Sequence, residues 1–152
     1  FGVLDGGDCE IGIESTVVDL TSWIPNVLRL GDISLEDIRE CLGVTPTFSS
    51  PESTTPSPGT HPVHYAPKGE VRLVTPEEAK QLLNIAPSRS DVIEYQGQDP
   101  KSYAKGLYSR LAEMDRLNLN PIYIVRPPDM AEWSAVWDRL RRASRAKTSD
   151  EP

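Results

Sequence analysis

Few of the residues that disclose a function at sight occur in this sequence. Only two cysteines, Cys9 and Cys41, are found in 152 residues, without C-x-x-C spacing. That excludes a disulfide scaffold and leaves reduced thiols as the simple reading. Its two histidines, His61 and His64, stand three apart in a proline-rich loop, with no third or fourth ligand at recognisable spacing, so no metal site is expected. Lys and Arg total 16 against 23 Asp and Glu, a net charge of -7, which argues against wrapping nucleic acid by general electrostatics, and no direct DNA binding is expected. No apolar run reaches the length of a membrane span and no signal-like segment opens the chain. The expectation is a soluble, cytoplasmic protein without a membrane partner. Neither G-x-G-x-x-G nor a Walker-type loop follows any candidate strand, which disfavours an independent nucleotide-binding α/β protein.

What is present falls into two patterned regions separated by slack chain. "IESTVVDL" (residues 13–20) and "NVLRL" (26–30) are rich in β-branched or alternating apolar residues and read as strands. The intervening "TSWIPN" supplies a turn, so the two are expected to pair as an antiparallel hairpin. "GDISLEDIRECLG" (31–43) then reads as a helix, with Ser34 as N-cap, Glu36 and Asp37 in the first turn, Ile38 and Leu42 four apart, and Gly43 as the stop. A hairpin and one short helix bury too little to be stable alone. Residues 1–43, opening "FGVLDGG" without Met, are therefore expected to belong to a larger unit.

From residue 70 the pattern becomes strand and helix in alternation. "EVRLV" (70–74) precedes a helix capped by Thr75 with Pro76 at its first position; "DVIEY" (91–95) precedes one capped by Asp99; "PIYIV" (121–125) precedes "AEWSAVWDRLRRAS". Tyr103, Leu107, Leu111 and Met114 form one apolar stripe, and Trp133, Val136, Leu140 and Ala143 another. Three β-α units in series predict a small parallel sheet covered by helices. Tyr103, Tyr108, Trp133 and Trp137 read as packing rather than base-stacking platforms. The basic cluster "DRLRRASRAK" (138–147) reads as a solvated helix face that complements the helix dipole.

Three features invite chemistry. Alternation along "GIESTVVDL" puts Glu14, Thr16 and Val18 on one face and Ser15, Val17 and Asp19 on the other; spacing alone favours β-propensity and cross-strand hydrogen bonds as the explanation of Ser15 and Thr16. Arg29 stands inside an apolar strand, and an inward guanidinium calls for a carboxylate or a phosphate. "HPVHYAPK" (61–68) loads the end of a Pro/Ser/Thr-rich stretch with His, Tyr and Lys. Prolines on both sides lower the entropy lost on docking, as a lid over a neighbouring site requires.

Together, "LDGGDCEIGIESTVVDLT", "VLRLGDIS", "SPG" followed by "HYAPK", and "LYSRLAEMD" with the later "DRLRRA" resemble, in order, the long two-domain form of the YrdC-related threonylcarbamoyl-AMP synthases. The resemblance implies an α/β chain in three parts. Residues 1–43 would be the end of a YrdC-like catalytic domain, 44–68 an interdomain linker or lid, and 69–146 a small Rossmann-like accessory domain, with 147–152 as tail. It implies a parent nucleotidyltransferase that joins L-threonine, bicarbonate and ATP, with magnesium on the triphosphate and no prosthetic group. The products would be threonylcarbamoyl-AMP and pyrophosphate, the former for the tRNA-modification machinery downstream. By resemblance Ser15 contacts threonine, Arg29 and Tyr65 contact ATP, and His64 and Pro67 belong to the lid; no residue here is implied to be a catalytic acid, base or metal ligand. Leu30 where the family has proline, and Thr60, His61 and Pro62 where it has methionine, a basic residue and an aromatic, are departures. The N-terminal catalytic region is not in this chain, so the chain alone is expected to be inactive. A non-catalytic accessory or regulatory module that binds a partner chain is the alternative.

Overall fold

The computed structural model describes residues 2–7, 9–48, 66–86 and 91–145. Among these residues, two three-stranded sheets carry the fold. In the first, β1 (Val17–Asp19) pairs antiparallel with β2 (Asn26–Arg29), as the hairpin reading predicts. Helix α1 (Leu35–Leu42) follows, closed by a reciprocal Ser34–Asp37 capping box and by Gly43 at φ 68°; only a residue without Cβ takes that left-handed turn at no cost. Ile38 is buried and Leu42 is not. A short β3 (Thr47–Phe48) then adds parallel to β2. It lies within the stretch read as linker, where the Pro/Ser/Thr composition hid it.

The second sheet is wholly parallel, in the order β4 (Val71–Val74), β6 (Ile122–Val125), β5 (Val92–Ile93). Between its strands run α2 (Pro76–Ile85) and α3 (Pro100–Arg116), and after them a 3-10 turn (Ala131–Trp133) leads into α4 (Ser134–Arg145). Thr75 and Asp99 cap as expected, each accepting backbone N–H bonds from the first turn. The two stripes meet in one core: Tyr103, Leu107, Leu111 and Met114 of α3 pack with Trp133, Val136, Leu140 and Ala143 over Ile122 and Ile124. Tyr95, Tyr103 and Trp133 form an edge-on aromatic cluster, with the Trp133 ring 5.3 Å from Tyr95 and 5.6 Å from Tyr103. The chain is thus α/β, with an antiparallel strand pair and helix ahead of a parallel β-α unit. None of the described helices is long and apolar enough to cross a membrane.

The first strand differs from expectation. Regular pairing begins at Val17, and the register shifts between Val17 and Val18, so strict alternation cannot assign faces to residues 14–16. Side chains hold that run in place of a ladder. Thr16 Oγ1 accepts from the Gly31 N–H at 2.8 Å and donates to the Ile33 carbonyl at 2.7 Å.

Candidate functional site

The elements around Ser15 and Arg29 form the only place where the implied site residues come together among those described. Arg29 is 9% exposed. Its Nε donates to the Ser15 carbonyl at 3.0 Å and its Nη2 approaches Ser15 Oγ at 3.4 Å, while Ser15 itself is exposed. A buried cation is thereby aimed along the backbone that presents an open hydroxyl. Glycine makes the approach possible. A Cβ on Gly31 would sit inside contact distance of Thr16 N and 2.6 Å from the Glu14 carbonyl oxygen.

Glu14, the residue before Ser15, is where the two sheets' regions join. Its carboxylate accepts from Tyr108 Oη of α3 at 3.0 and 3.1 Å and from Arg139 Nε of α4 at 3.0 Å. Burial by itself would raise this carboxyl; its own backbone N–H, the Arg139 charge and the Tyr108 hydroxyl outweigh that and hold it below its ordinary value. Tyr108 is pushed the other way, upward, by burial and by the Glu14 charge. Arg139 also donates through Nη2 to the Glu14 carbonyl at 3.3 Å and through Nη1 to the Leu30 carbonyl and to Asp138. Asp138 in turn pairs with Arg142 at 3.1 Å.

This corrects the solvated-face reading of the basic cluster at Asp138, Arg139 and Arg142, while Arg141 is exposed. The Arg139 side chain is 3% exposed and that of Asp138 5%. The apolar stripe of α4 drew attention away from a second one beside it: Ala135, Asp138, Arg139 and Arg142 recur at helical spacing, and Ala135 packs with Val27, Leu30 and Ile38 of the hairpin region. Ile13 touches both this cluster and the core of the β-α unit. Gly12, at φ 74°, lies so close to α3 that a Cβ would stand 2.7 Å from the Lys105 carbonyl oxygen.

Of the implied lid positions His64 and Pro67, Pro67 is the one among the described residues. Pro67 is buried, and the next residue, Lys68, donates its backbone N–H to Asp115 in the last turn of α3 at 2.7 Å. Thr60, His61, Pro62, His64 and Tyr65 lie outside the described residues. A groove of about 340 Å³ opens between the hairpin region and the first turns of α3 and α4, lined by Ile11, Ile13, Asp32, Lys101 and Ala135 among others. Neither Ser15 nor Arg29 borders it, so this groove is not the candidate site. Trp137 packs as expected, its Nε1 donating to the Pro128 carbonyl at 3.0 Å.

Comparison with known proteins places the arrangement in a family. Residues 33–145 match the family described as threonylcarbamoyl-AMP synthase, C-terminal domain. Curated relatives include the threonylcarbamoyl-AMP synthases of Pyrococcus abyssi, 33% identical over 93% of this chain and 48% of that protein, and of Bacillus subtilis, 28% identical over 94% and 48%. The chain thus spans about half the length of the curated relatives it matches. Among solved structures, P. abyssi Sua5 complexed with L-threonine superposes with a TM-score of 0.77 at 29% identity, covering 94% of this chain and 49% of that one. A double variant of the same protein gives 0.72 at 26% identity, covering 94% and 48%. With the match running through α1 and the entire β-α unit, the chain belongs to the threonylcarbamoyl-AMP synthase family and carries its C-terminal domain.

Proposed function

We propose that this chain supplies part of the substrate site of a threonylcarbamoyl-AMP synthase, completed by a catalytic region of the kind that fills the other half of its relatives. The observation that carries the reading is the Arg29–Ser15 contact, which sets a buried cation beside an exposed hydroxyl. Ser15 Oγ would hydrogen-bond L-threonine, the molecule bound in the P. abyssi structure, and Arg29 would balance charge on ATP. Tyr65 would lie against the nucleotide as the stretch containing His64 closes over the site, with Lys68 and the buried Pro67 as its anchored end.

In the proposed reaction bicarbonate, as carbon dioxide with loss of water, is captured by the threonine amine to form a carbamate. A carbamate oxygen then attacks the α-phosphorus and pyrophosphate leaves. Such chemistry asks the protein for positioning and charge balance rather than a nucleophile of its own. Magnesium would arrive with the triphosphate. The product would pass to the machinery that modifies tRNA.

The test is isothermal titration of ATP, with magnesium and threonine present, into this chain alone and into its mixture with the N-terminal half of the P. abyssi relative. Heat of binding in the mixture only, reduced by Arg29→Ala, is the expected result. Tight binding by the chain alone contradicts the half-site. Binding in neither sample favours a non-catalytic accessory module.

A further inference from the structure

We infer that Arg139 is a positioning residue for the substrate site, through which the β-α domain sets the spacing of Ser15 and Arg29; the inference rests on the functional reading above. Three facts carry it. First, one guanidinium on α4 bonds the carbonyls of both Glu14 and Leu30, the residues immediately before Ser15 and after Arg29. Ser15 and Arg29 come from separate segments, and each is flanked by a group that the same side chain holds. Second, the guanidinium is itself fixed by Asp138, by the Glu14 carboxylate and by near-complete burial. A planar fork with its donors all directed can hold two backbones at one distance; an ammonium, as a point charge, cannot. Third, Tyr108 of α3 grips the same carboxylate, so Glu14 is located from two helices.

The bonds from Arg139 toward the site go to the neighbours of Ser15 and Arg29, to Glu14 and to Leu30. Its effect would pass through the backbone, and small displacements of binding groups cost affinity and rate out of proportion to their size.

The experiment uses Arg139→Lys, which keeps the charge and removes the fork, with Glu14→Gln as a second variant that keeps shape and removes charge. In the 152-residue chain, amide resonances of Ser15, Thr16 and Gly31 and the Arg29 Nε–H are expected to shift, while those of Leu111 and Ile124 stay. In the mixture with the N-terminal half of the P. abyssi relative, titrated with magnesium–ATP and threonine below the unfolding range, Arg139→Lys is expected to weaken binding about tenfold, the scale of one charge-assisted hydrogen bond. Glu14→Gln should act in the same direction, less strongly. Equal affinities for wild type and both variants, with the wild type binding, overturn the positioning role and leave the functional reading standing. No binding by the wild-type mixture overturns the functional reading, and the inference falls with it. Shifts spread evenly to Leu111 and Ile124 identify a general structural role and likewise overturn it.

Discussion

The hairpin region and the β-α region reach order by different means. Residues 70–145 bury a continuous apolar cluster, from Val71 and Ile93 through Tyr103 and Leu107 to Trp133 and Leu140. Residues 11–48 bury Val27, Leu30 and Ile38, and that small cluster is completed by Ala135 from α4. The hairpin region also leaves Leu20, Trp23 and Ile24 open, Trp23 at 99% exposure. What the second region achieves with area the first achieves with directed polar contacts: Thr16 to Gly31 and Ile33, Arg29 to Ser15, and Glu14 and Leu30 to Arg139. Apolar burial is non-directional and tolerates small shifts; hydrogen-bonded networks do not. The region proposed to hold substrate is the one whose geometry is set by direction.

The dependence should be one-sided, and substitutions can break it from either end. Arg139→Met removes the cation beside the partly buried Glu14 carboxylate, one of the two cations on Asp138, and the donor to two carbonyls, and is expected to cost about 3–5 kcal/mol, read by chemical denaturation, with the hairpin region's signals lost first. Leu107→Ala removes a fully buried side chain at the centre of the β-α core and should cost about 2–5 kcal/mol. Because the hairpin region leans on that core, both regions should unfold together. Gly31→Ala drives a methyl against the Thr16 and Glu14 backbone. A cost of about 1–3 kcal/mol, typical of overpacking, should appear as a lower thermal midpoint with unchanged near-ultraviolet signal from the Tyr103 and Trp133 cluster.

Acid sharpens the contrast with a smaller effect. Glu14 is held below its ordinary value of 4.5 in the folded chain. Its contribution is therefore complete above that value and is lost as pH falls through the lower, folded one. Denaturation midpoints followed across this range should decline in the hairpin region, and Glu14→Gln should flatten the decline.

Much of the fold was legible because its signals are local. Ser34, Thr75 and Asp99 cap within three residues of themselves, and the stripes of α3 and α4 lie within single helices. β1 is shorter than its residue types suggest, because the run from Glu14 to Thr16 has strand-like residues yet is held by side-chain bonds to residues 29–33 and to α3 and α4. β5 is confined to Val92–Ile93 and, among the described strands, pairs with β6 alone. Arg29 and Ser15 were legible as a pair only through resemblance to a family. The role of Arg139 is hard to read from sequence because its partner Glu14 is distant, and no spacing rule links the two. The second stripe on α4 was the one signal that pointed to it.

The central claim is that α4 holds the proposed site's backbone in place through Arg139. Native-state hydrogen exchange on the wild-type chain and on Arg139→Lys, comparing amides of β2 with those of β6, tests it most directly. The account predicts that Val27 and Arg29 lose protection while Ile122 and Ile124 keep theirs; equal protection at all four amides in both proteins, or equal loss, would contradict it.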